Sequence, residues 1–366
     1  MKIDIIAGAR PNFIKIAPIL KAIDKAVTEG ARLEYRLIHT GQHYDRNMSG
    51  RFFEELDIPD PDHNLSVGSG TQASQTGNIM MAYERVLLEA PADLCMVVGD
   101  VNSTMACSIT AKKMNMKVAH VEGGIRSNDL SMPEEINRMV TDAITDYFFT
   151  TSETANQNLR SLGVNDSAIF YVGNTMIDTL KSHINKLKAP AIYEQLQLKQ
   201  KGYIVMTLHR PANVDQEIQL QSLMNKITRH ASSMPIIFPV HPRTAKILNN
   251  LQIQSDNLHY VNPLGYLEFN YLVQNAFAVI TDSGGITEET TVLGIPCLTL
   301  RDNTERPETV AIGTNELVGT DPENIAPAME RLFSGNWKKG DIPYLWDGHT
   351  AERIVRILID LDKKNP

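Results

Sequence analysis

Short apolar runs alternate along the chain with longer segments in which apolar and polar residues follow a helical period. In the first half the runs are KIDIIAGA, YRLIHTG, LCMVVGD, KVAHVEGG, YFFTTSE and AIFYVGN. Because these runs are continuously apolar, they are typical of parallel strands that helices cover on both faces. The pattern predicts an α/β fold built on a parallel sheet.

A polar segment with a proline interrupts this pattern near Lys186, and a second series of apolar runs follows it. Its strand candidates are YIVMTLH, PIIFPVH, LHYVNP, FAVITDSGG, PCLTLRD and ELVGTD. We therefore predict two doubly wound, Rossmann-like domains, residues 1–180 and 181–348. Ligands of such sheets bind beyond the carboxyl ends of the strands, so we expect the site in a central cleft that both domains face.

Composition narrows the class of protein. The 366 residues are 42% hydrophobic and 21% charged, which suits about two globular domains. The net charge of −8 argues against a nucleic-acid partner. Three cysteines without paired spacing indicate buried thiols in a reducing compartment. No run reaches the roughly 18 apolar residues of a membrane span, and no signal-peptide pattern is seen, so we expect a cytoplasmic protein without a membrane partner.

Cations follow the first predicted strand. Arg10 and Lys15 lie where a helix is expected to begin, near Pro11, and phosphate binds well at such a helix start. The segment matches neither a dinucleotide fingerprint nor a P-loop. Taken alone, it is equally compatible with two solvated side chains.

Three carboxylates follow successive strands or open the next helix. They are Asp100, Glu122 and Glu134, and Arg138 shares a predicted helix face with Glu134. Singly, each could be a helix cap or a member of a surface ion pair. Together, at one edge of a sheet, they could supply the acid and the base of a proton transfer.

The strand ends of the second half carry histidine and arginine. His209 and Arg210 end the first strand, and His241 and Arg243 end the next. Such a histidine is more often structural than catalytic, but two clusters favour a functional role. Their spacing matches no metal-binding motif, so we expect no metal.

The segment DSGGITEE forms an anion-binding turn in this interpretation. Ser283, Gly284 and Gly285 can offer a hydroxyl and backbone N–H groups to phosphate oxygens, and Arg306 could add a clamp. The acids that follow, Glu288 and Glu289, are explained equally well by the helix dipole. Alternatively, one of them accepts hydrogen bonds from ribose hydroxyls.

Taken together, these motifs resemble those of the non-hydrolysing UDP-N-acetylglucosamine 2-epimerases. The matching segments are GARPNFIKIAP, GD at Asp100, HVEGGIR, PEEINR, HR at His209, DSGGITEE and RDNTERPE. They occur in the family's order across nearly the whole chain. The resemblance implies a B-type glycosyltransferase-like fold, in which a C-terminal helix, residues 349–366 here, packs back on the first domain. It also implies a homodimer.

The resemblance further implies a role for each candidate residue. The catalytic set would be Asp100, Glu122, Glu134 and His209, with Arg138 and Lys15 supporting the reacting groups. The UDP-binding set would be Arg10, Ser283, Gly284, Gly285 and Arg306 on the diphosphate, Glu289 on the ribose and Phe269 near the uracil.

Some family members bind a second substrate molecule as an activator. Gln42, His43, Arg210 and His241 match that second site. However, HRPANV departs from the usual run, and NLSVGSGTQASQTG lacks an expected arginine. We therefore expect that activation by substrate is not retained.

The chemistry of the substrate restricts the mechanism. The C2 proton of a 2-acetamido sugar is not acidic, and the sequence shows no NAD fingerprint, so we expect no cofactor. Elimination of UDP to a 2-acetamidoglucal, followed by re-addition, needs two proton-transfer groups and a grip on UDP. The sequence thus predicts reversible conversion of UDP-N-acetylglucosamine to UDP-N-acetylmannosamine. Four alternatives stay open: a hydrolysing epimerase, an epimerase of a UDP-diacetamido sugar, a glycosyltransferase and a non-catalytic sensor.

Overall fold

The computed structural model describes residues 1–41, 52–214, 216–240, 248, 251, 253 and 255–364. Contacts divide the chain into two compact units. The N-terminal unit comprises Met1–Ser182 and Tyr344–Pro366, and the C-terminal unit comprises His183–Pro343.

The N-terminal unit contains a seven-stranded parallel sheet with the order β3-β2-β1-β4-β5-β6-β7. The central strands are buried on both faces, which explains their continuous apolar runs. The strands are β1 (Lys2–Ala7), β2 (Glu34–His39), β3 (His63–Asn64), β4 (Leu94–Val98), β5 (Lys117–Val121), β6 (Tyr147–Thr150) and β7 (Ile169–Tyr171).

Helices connect these strands and cover both faces of the sheet. They are α1 (Arg10–Thr28), α2 (Gln72–Glu89), α3 (Asn102–Lys113), α4 (Pro133–Ile144), α5 (Glu153–Ser161) and α6 (Thr175–His183). Within α1, Phe13, Ile16 and Leu20 recur at helical spacing and are buried. One face of this helix therefore packs on the sheet.

The C-terminal unit contains a six-stranded parallel sheet with the order β10-β9-β8-β11-β12-β13. Its strands are β8 (Ile204–Thr207), β9 (Ile236–Pro239), β10 (Leu258–Val261), β11 (Ala278–Thr281), β12 (Cys297–Thr299) and β13 (Asn315–Leu317). Its helices are α7 (Ala191–Gln195), α8 (Pro211–Val214), α9 (Glu217–His230), α10 (Tyr266–Asn275), α11 (Gly284–Leu293), α12 (Pro307–Ala311) and α13 (Ile325–Phe333).

The last helix, α14 (Thr350–Lys364), belongs to the N-terminal unit. The backbone N–H of Ala351 donates to the buried carboxylate of Asp178 at 2.7 Å, which satisfies one of the first N–H groups of the helix. Trp346 is fully buried just before it and donates from Nε1 to the carbonyl of Thr151 at 3.1 Å.

Both sheets reverse their strand order at an equivalent place, between β1 and β4 in one unit and between β8 and β11 in the other. In doubly wound sheets, ligands bind outside the carboxyl ends of the strands at this reversal. The loops that follow these four strands contain Arg10, Asp100, His209 and Ser283. Topology alone thus places one predicted residue from each loop at a switch point.

In the described part of the chain, no helix is long and apolar enough to cross a membrane. All three cysteines, Cys95, Cys107 and Cys297, are buried.

Candidate active site

Asn12 joins the two loops at the switch point of the N-terminal unit. Its side-chain oxygen accepts hydrogen bonds from the backbone N–H groups of Gly8 (3.1 Å) and Ala9 (3.0 Å). Its Nδ2 donates to the carbonyl of Val98, the last residue of β4, at 2.8 Å. The turn before α1 is thereby fixed against the strand that leads to Asp100. Asn12 lies inside the motif GARPNFIK, but its role was not predicted from the sequence.

Glu122 and Lys15, which the sequence suggested separately, form a buried ion pair. Lys15 Nζ lies 2.7 Å from Glu122 Oε2, and both side chains are almost entirely buried. Glu122 has a φ of 72°, which is uncommon for a residue with a side chain and indicates local strain. Strain of this kind clusters at functional sites. The Glu122 carboxylate is therefore held on a strained backbone directly after β5.

Arg138 joins Asp100 to a second acid. Its Nε and Nη2 both donate to Asp100 Oδ2, at 3.0 and 2.5 Å, and its Nη1 donates to Glu135 Oε2 at 2.7 Å. Glu135 is buried, whereas Glu134, the acid chosen from the sequence, is half-buried. The Asp100 carboxylate is about 30% exposed, so it stays within reach of a ligand.

Hydrogen bonds stabilise the charge of Glu135. Burial opposes ionisation, but the backbone N–H of Ser127, the Arg138 guanidinium and the backbone N–H of Asn128 outweigh it. The pKa of Glu135 consequently lies below its usual value. Glu135 is thus a fixed carboxylate that orients Arg138 towards Asp100.

A buried network that the sequence analysis missed supports both candidate carboxylates. His120 Nδ1 lies 2.7 Å from Asp142 Oδ1, and its Nε2 lies 2.8 Å from the carbonyl of Gly99, the residue before Asp100. Asp142 Oδ2 also accepts from the backbone N–H of Gly124 at 3.0 Å. The network therefore ties the loop of Glu122 to the loop of Asp100.

Arg126 completes this network, with Nη1 2.6 Å from Asp142 Oδ2. Burial opposes ionisation of Asp142, but His120 and Arg126 outweigh it and hold its pKa below the usual value. Asp142 is thus a buried carboxylate with three partners, His120, Arg126 and the backbone N–H of Gly124.

Arg10 lies at the start of α1, with its guanidinium carbon 4.4 Å from the centre of the Phe52 ring. This is a cation–π contact, and burial lowers the pKa of the guanidinium. The aromatic ring supports the side chain without occupying its N–H donors.

In the C-terminal unit, Asp282 organises the loop after β8. Its carboxylate accepts from the backbone N–H groups of His209 (3.0 Å) and Arg210 (2.9 Å) and from Asn213 Nδ2 (3.1 Å). His209 Nδ1 lies 2.7 Å from Asp282 Oδ1, while its ring is 59% exposed. Burial opposes ionisation of Asp282, but His209 and Arg210 keep its pKa below the usual value. The imidazole is thus oriented through one nitrogen.

The Ser-Gly-Gly turn is the start of α11, with Ser283 as the N-cap residue in an extended conformation. Gly284 and Gly285 form its first turn, where backbone N–H groups have no acceptor within the helix. The residues expected to hold phosphate therefore lie at a helix N-terminus, as predicted from the motif.

Glu289 and Glu288 lie in different environments. Glu289 is buried, with Asn270 Nδ2 3.3 Å from its Oε1, and burial raises its pKa to about 7. The explanation of Glu288 by the helix dipole alone is wrong. Glu288 lies beyond the first turn, is buried, and pairs with Arg306 Nε at 2.7 Å.

Phe269 lies on α10 and is partly buried against the apolar cluster around Val205 and Val279.

Several predicted residues lie outside the described part of the chain, namely Gln42, His43, His241 and Arg243. Of the residues that match the second substrate site, the structure therefore describes Arg210 alone. Among the described residues, no cluster of histidine, cysteine and acidic side chains is suited to holding a metal ion.

Comparison with known proteins shows one family throughout the chain. The family model described as UDP-N-acetylglucosamine 2-epimerase matches residues 25–359. The UDP-N-acetylglucosamine 2-epimerase of Methanocaldococcus jannaschii is 42% identical over 98% of this chain and 99% of that protein. A crystal structure of the M. jannaschii enzyme with UDP-GlcNAc and UDP has a TM-score of 0.86 at 41% identity. The match covers 98% of this chain and 99% of that one.

One further relative and one protein of similar fold also match this chain. The UDP-2,3-diacetamido-2,3-dideoxy-D-glucuronate 2-epimerase of Pseudomonas aeruginosa is 37% identical over 99% of this chain and 100% of that protein. A lipopolysaccharide outer core galactosyltransferase is 14% identical, with a TM-score of 0.52 over 100% of this chain and 98% of its own, and shares the fold alone. The predicted fold class, two Rossmann-like sheets of the B-type glycosyltransferase kind, is confirmed.

Proposed function

Since this chain belongs to the UDP-N-acetylglucosamine 2-epimerase family, we propose that it reversibly converts UDP-N-acetylglucosamine to UDP-N-acetylmannosamine without releasing free sugar. A base removes the C2 proton as the C1–oxygen bond to UDP breaks, which gives a 2-acetamidoglucal. UDP then adds back to C1 while a proton arrives at the opposite face of C2. The reaction is redox-neutral and needs no cofactor.

The observation that carries the proposal is the pair of tethered carboxylates, Asp100 and Glu122. Each lies beside a cation, Arg138 or Lys15, and one buried network joins their loops. Two proton-transfer groups on separate loops are what elimination and re-addition require at two faces of one carbon. Glu134, half-buried at the start of α4, is the third candidate.

The C-terminal unit would supply the grip on UDP. The N-terminus of α11, at Ser283, Gly284 and Gly285, offers N–H donors and a positive dipole end to the diphosphate. Glu289 would accept hydrogen bonds from the ribose, and Phe269 would lie near the uracil. His209, oriented by Asp282, would stabilise the charge that develops on the departing UDP. Arg10 and Arg306 remain candidates for the same anion.

The test is proton NMR of the reaction in deuterated water with UDP-N-acetylglucosamine. Elimination predicts deuterium at C2 of the product and of recovered substrate. Product without deuterium would exclude removal of the C2 proton. Accumulation of free N-acetylmannosamine would identify a hydrolysing enzyme instead, and reaction only when an acceptor sugar is added would identify a glycosyltransferase.

A related substrate is the second candidate, because the P. aeruginosa relative acts on a UDP-2,3-diacetamido glucuronate sugar. The same carboxylates and UDP grip would serve it, since the reacting atoms are again C1, C2 and the UDP oxygen. Comparing kcat/KM for the two UDP-sugars decides between them. A higher kcat/KM for the diacetamido sugar would identify that sugar as the substrate, and the proposed mechanism would stay the same.

A further inference from the structure

Arg301 is a buried cation that the proposed mechanism does not use. It lies two residues after β12 and only 4% of its side chain is exposed. Its Nη2 lies 2.6 Å from Glu305 Oε2 and donates to Asn303 Oδ1 at 3.2 Å. Its Nη1 is buried and has no hydrogen-bond acceptor among the described residues. A buried guanidinium N–H without an acceptor is costly, so a ligand oxygen that accepts from it would be stabilised.

The guanidinium points to the Ser-Gly-Gly turn. A Cβ placed on Gly284 would lie 3.7 Å from Arg301 Nη1 and 2.6 Å from Glu305 Oε1. Gly284 is the first residue of α11, a ten-residue helix whose N-terminus carries partial positive charge. The unpartnered N–H and the helix N-terminus thus meet in one place.

The Glu305 carboxylate lies in the space that an anion at this turn would use. Two guanidiniums face it, since Arg301 is paired with it and Arg210 Nη2 lies 3.9 Å from its Oε1. Glu305 thus holds a negative charge against two guanidiniums and the helix N-terminus, the partners that a phosphate oxygen would also use.

We infer that Arg301 is a diphosphate-binding residue and that Glu305 is an internal anion competing with the diphosphate for it. Binding of the diphosphate displaces the Glu305 carboxylate from Gly284 and transfers Arg301 from the carboxylate to phosphate oxygens. The inference rests on the proposed function for the identity of the ligand. It adds a second arginine to the clamp predicted from the sequence at Arg306, whose Nε pairs with the buried Glu288 at 2.7 Å.

The two residues should respond to substitution in opposite directions. Glu305→Gln removes the competing charge at nearly constant volume, so we expect UDP and inorganic pyrophosphate to bind roughly tenfold more tightly, the equivalent of one charge-assisted hydrogen bond. Arg301→Gln should weaken both by a similar factor. Uridine, which has no phosphate, should bind all three proteins equally. Isothermal titration calorimetry measures the dissociation constants.

Matched controls keep the result interpretable. Glu316→Gln removes the carboxylate of another ion pair of the same unit, Arg331–Glu316, and should leave both affinities unchanged. Glu305→Asp keeps the charge but shortens the side chain, so its pyrophosphate affinity should lie between those of wild type and Glu305→Gln. It supplies a second test if Glu305→Gln folds poorly.

The outcomes separate this inference from the proposed function. If Glu305→Gln and Glu305→Asp bind pyrophosphate no more tightly than wild type, the inference is wrong even when the wild-type protein epimerises its sugar. An equal gain for uridine would also overturn it, because the effect would then not concern phosphate. If pyrophosphate shows both opposite changes but UDP does not bind, the inference stands and the nucleotide part of the proposed function fails.

Discussion

Glu122 combines three properties that bear on its chemistry. Its backbone is in the left-handed region, its side chain is buried, and its charge is balanced by Lys15 Nζ at 2.7 Å. The Lys15 ammonium is a single point charge on a flexible stem, whereas the planar guanidinium of Arg138 donates two hydrogen bonds to Asp100. Glu122 and Asp100 are therefore chemically distinct, although both are carboxylates paired with a cation.

Replacing either carboxylate by its amide tests their role in proton transfer. We expect Asp100→Asn and Glu122→Gln each to lower kcat by about 10²–10⁴-fold, the usual contribution of a general acid or base. Binding of UDP should survive, since its grip is proposed to lie on other residues. Steady-state kinetics and calorimetry check both statements. Glu153→Gln, in an exposed ion pair with Arg160, is the control that should keep normal turnover.

The raised pKa of Glu289 predicts a pH-dependent affinity for the ribose. Burial raises this pKa from 4.5 to about 7, so the carboxylate is largely protonated below that pH. Because the charged form accepts ribose hydroxyls better, uridine should bind more tightly as pH rises through about 7, by about tenfold per unit below it. Affinity should then level off. Uridine is the probe because it carries no phosphate that titrates nearby.

The same group affects folding with the opposite sign. The folded chain holds the Glu289 proton more tightly than the unfolded chain, so its contribution to stability falls as pH rises from 4.5 to about 7. Glu289→Gln should remove both dependences. A uridine affinity that keeps its pH dependence in this variant would assign the titration to another group.

For two adjacent acids, the sequence does not predict which side chain is buried. Glu134 and Glu135 are adjacent, as are Glu288 and Glu289, and motifs identify each pair but not which member is buried. Successive helical residues point about 100° apart, so orientation depends on where the helix begins and what covers it. The structure buries Glu135 and both Glu288 and Glu289, which composition could not decide.

At the scale of elements, a buried hydrogen-bond network joins the loops that carry Asp100 and Glu122. His120 lies on β5, Asp142 on α4 and Gly99 directly after β4, so one histidine links three elements. Glu122 follows His120 by two residues, and Asp100 follows Gly99. A shift of the histidine would therefore move both candidate carboxylates.

Breaking this network should affect turnover more than binding. Asp142→Asn removes a buried charge that faces His120 and Arg126, so we expect a loss of about 3–5 kcal/mol in unfolding free energy. We also expect kcat to fall while KM changes little, because the network orients proton-transfer groups. Denaturant titration and steady-state kinetics measure the two effects.

An exposed ion pair provides the contrast. Asp166→Asn removes a partner of Arg160 on the surface of the same unit and should leave both the free energy of unfolding and kcat almost unchanged. If Asp142→Asn lowered stability but left kcat unchanged, the network would be structural only.

Sequence patterns predicted the elements well where burial is two-sided. The runs LCMVVGD and FAVITDSGG became β4 and β11, and their polar ends became the loops at the two switch points. His120, Asp142 and Asn12 were missed because their partners lie on distant segments, up to 86 residues apart in the Asn12–Val98 bond. Only the tertiary fold brings such pairs together.

At the scale of the whole molecule, the two units repeat one sheet topology. They differ in the residues that follow their strands. The N-terminal sheet carries ion-paired carboxylates after β4 and β5, whereas the C-terminal sheet carries a helix N-terminus and arginines after β11 and β12. A chain with a net charge of −8 thus still places arginines beside a helix N-terminus, where we propose that an anion binds.

The predicted homodimer is tested at this scale. Family resemblance implies two copies, so we expect light scattering during gel filtration to give about twice the 40.8 kDa of one chain. A mass that stays at one chain over a wide range of concentrations would contradict the prediction. Adding UDP-N-acetylglucosamine should leave the mass unchanged if the pairing does not depend on substrate.

The buried cysteines have a practical consequence for following these events. Burial raises the pKa of all three thiols, that of Cys297 to about 12, so none reacts readily in the folded chain. A chromogenic disulfide should detect no fast thiol in native protein and three after denaturation. The natural cysteines therefore do not interfere with thiol labelling. A single cysteine introduced on the surface near residues 301–306 would react selectively with a fluorophore. The emission of that fluorophore would report displacement of Glu305 in real time.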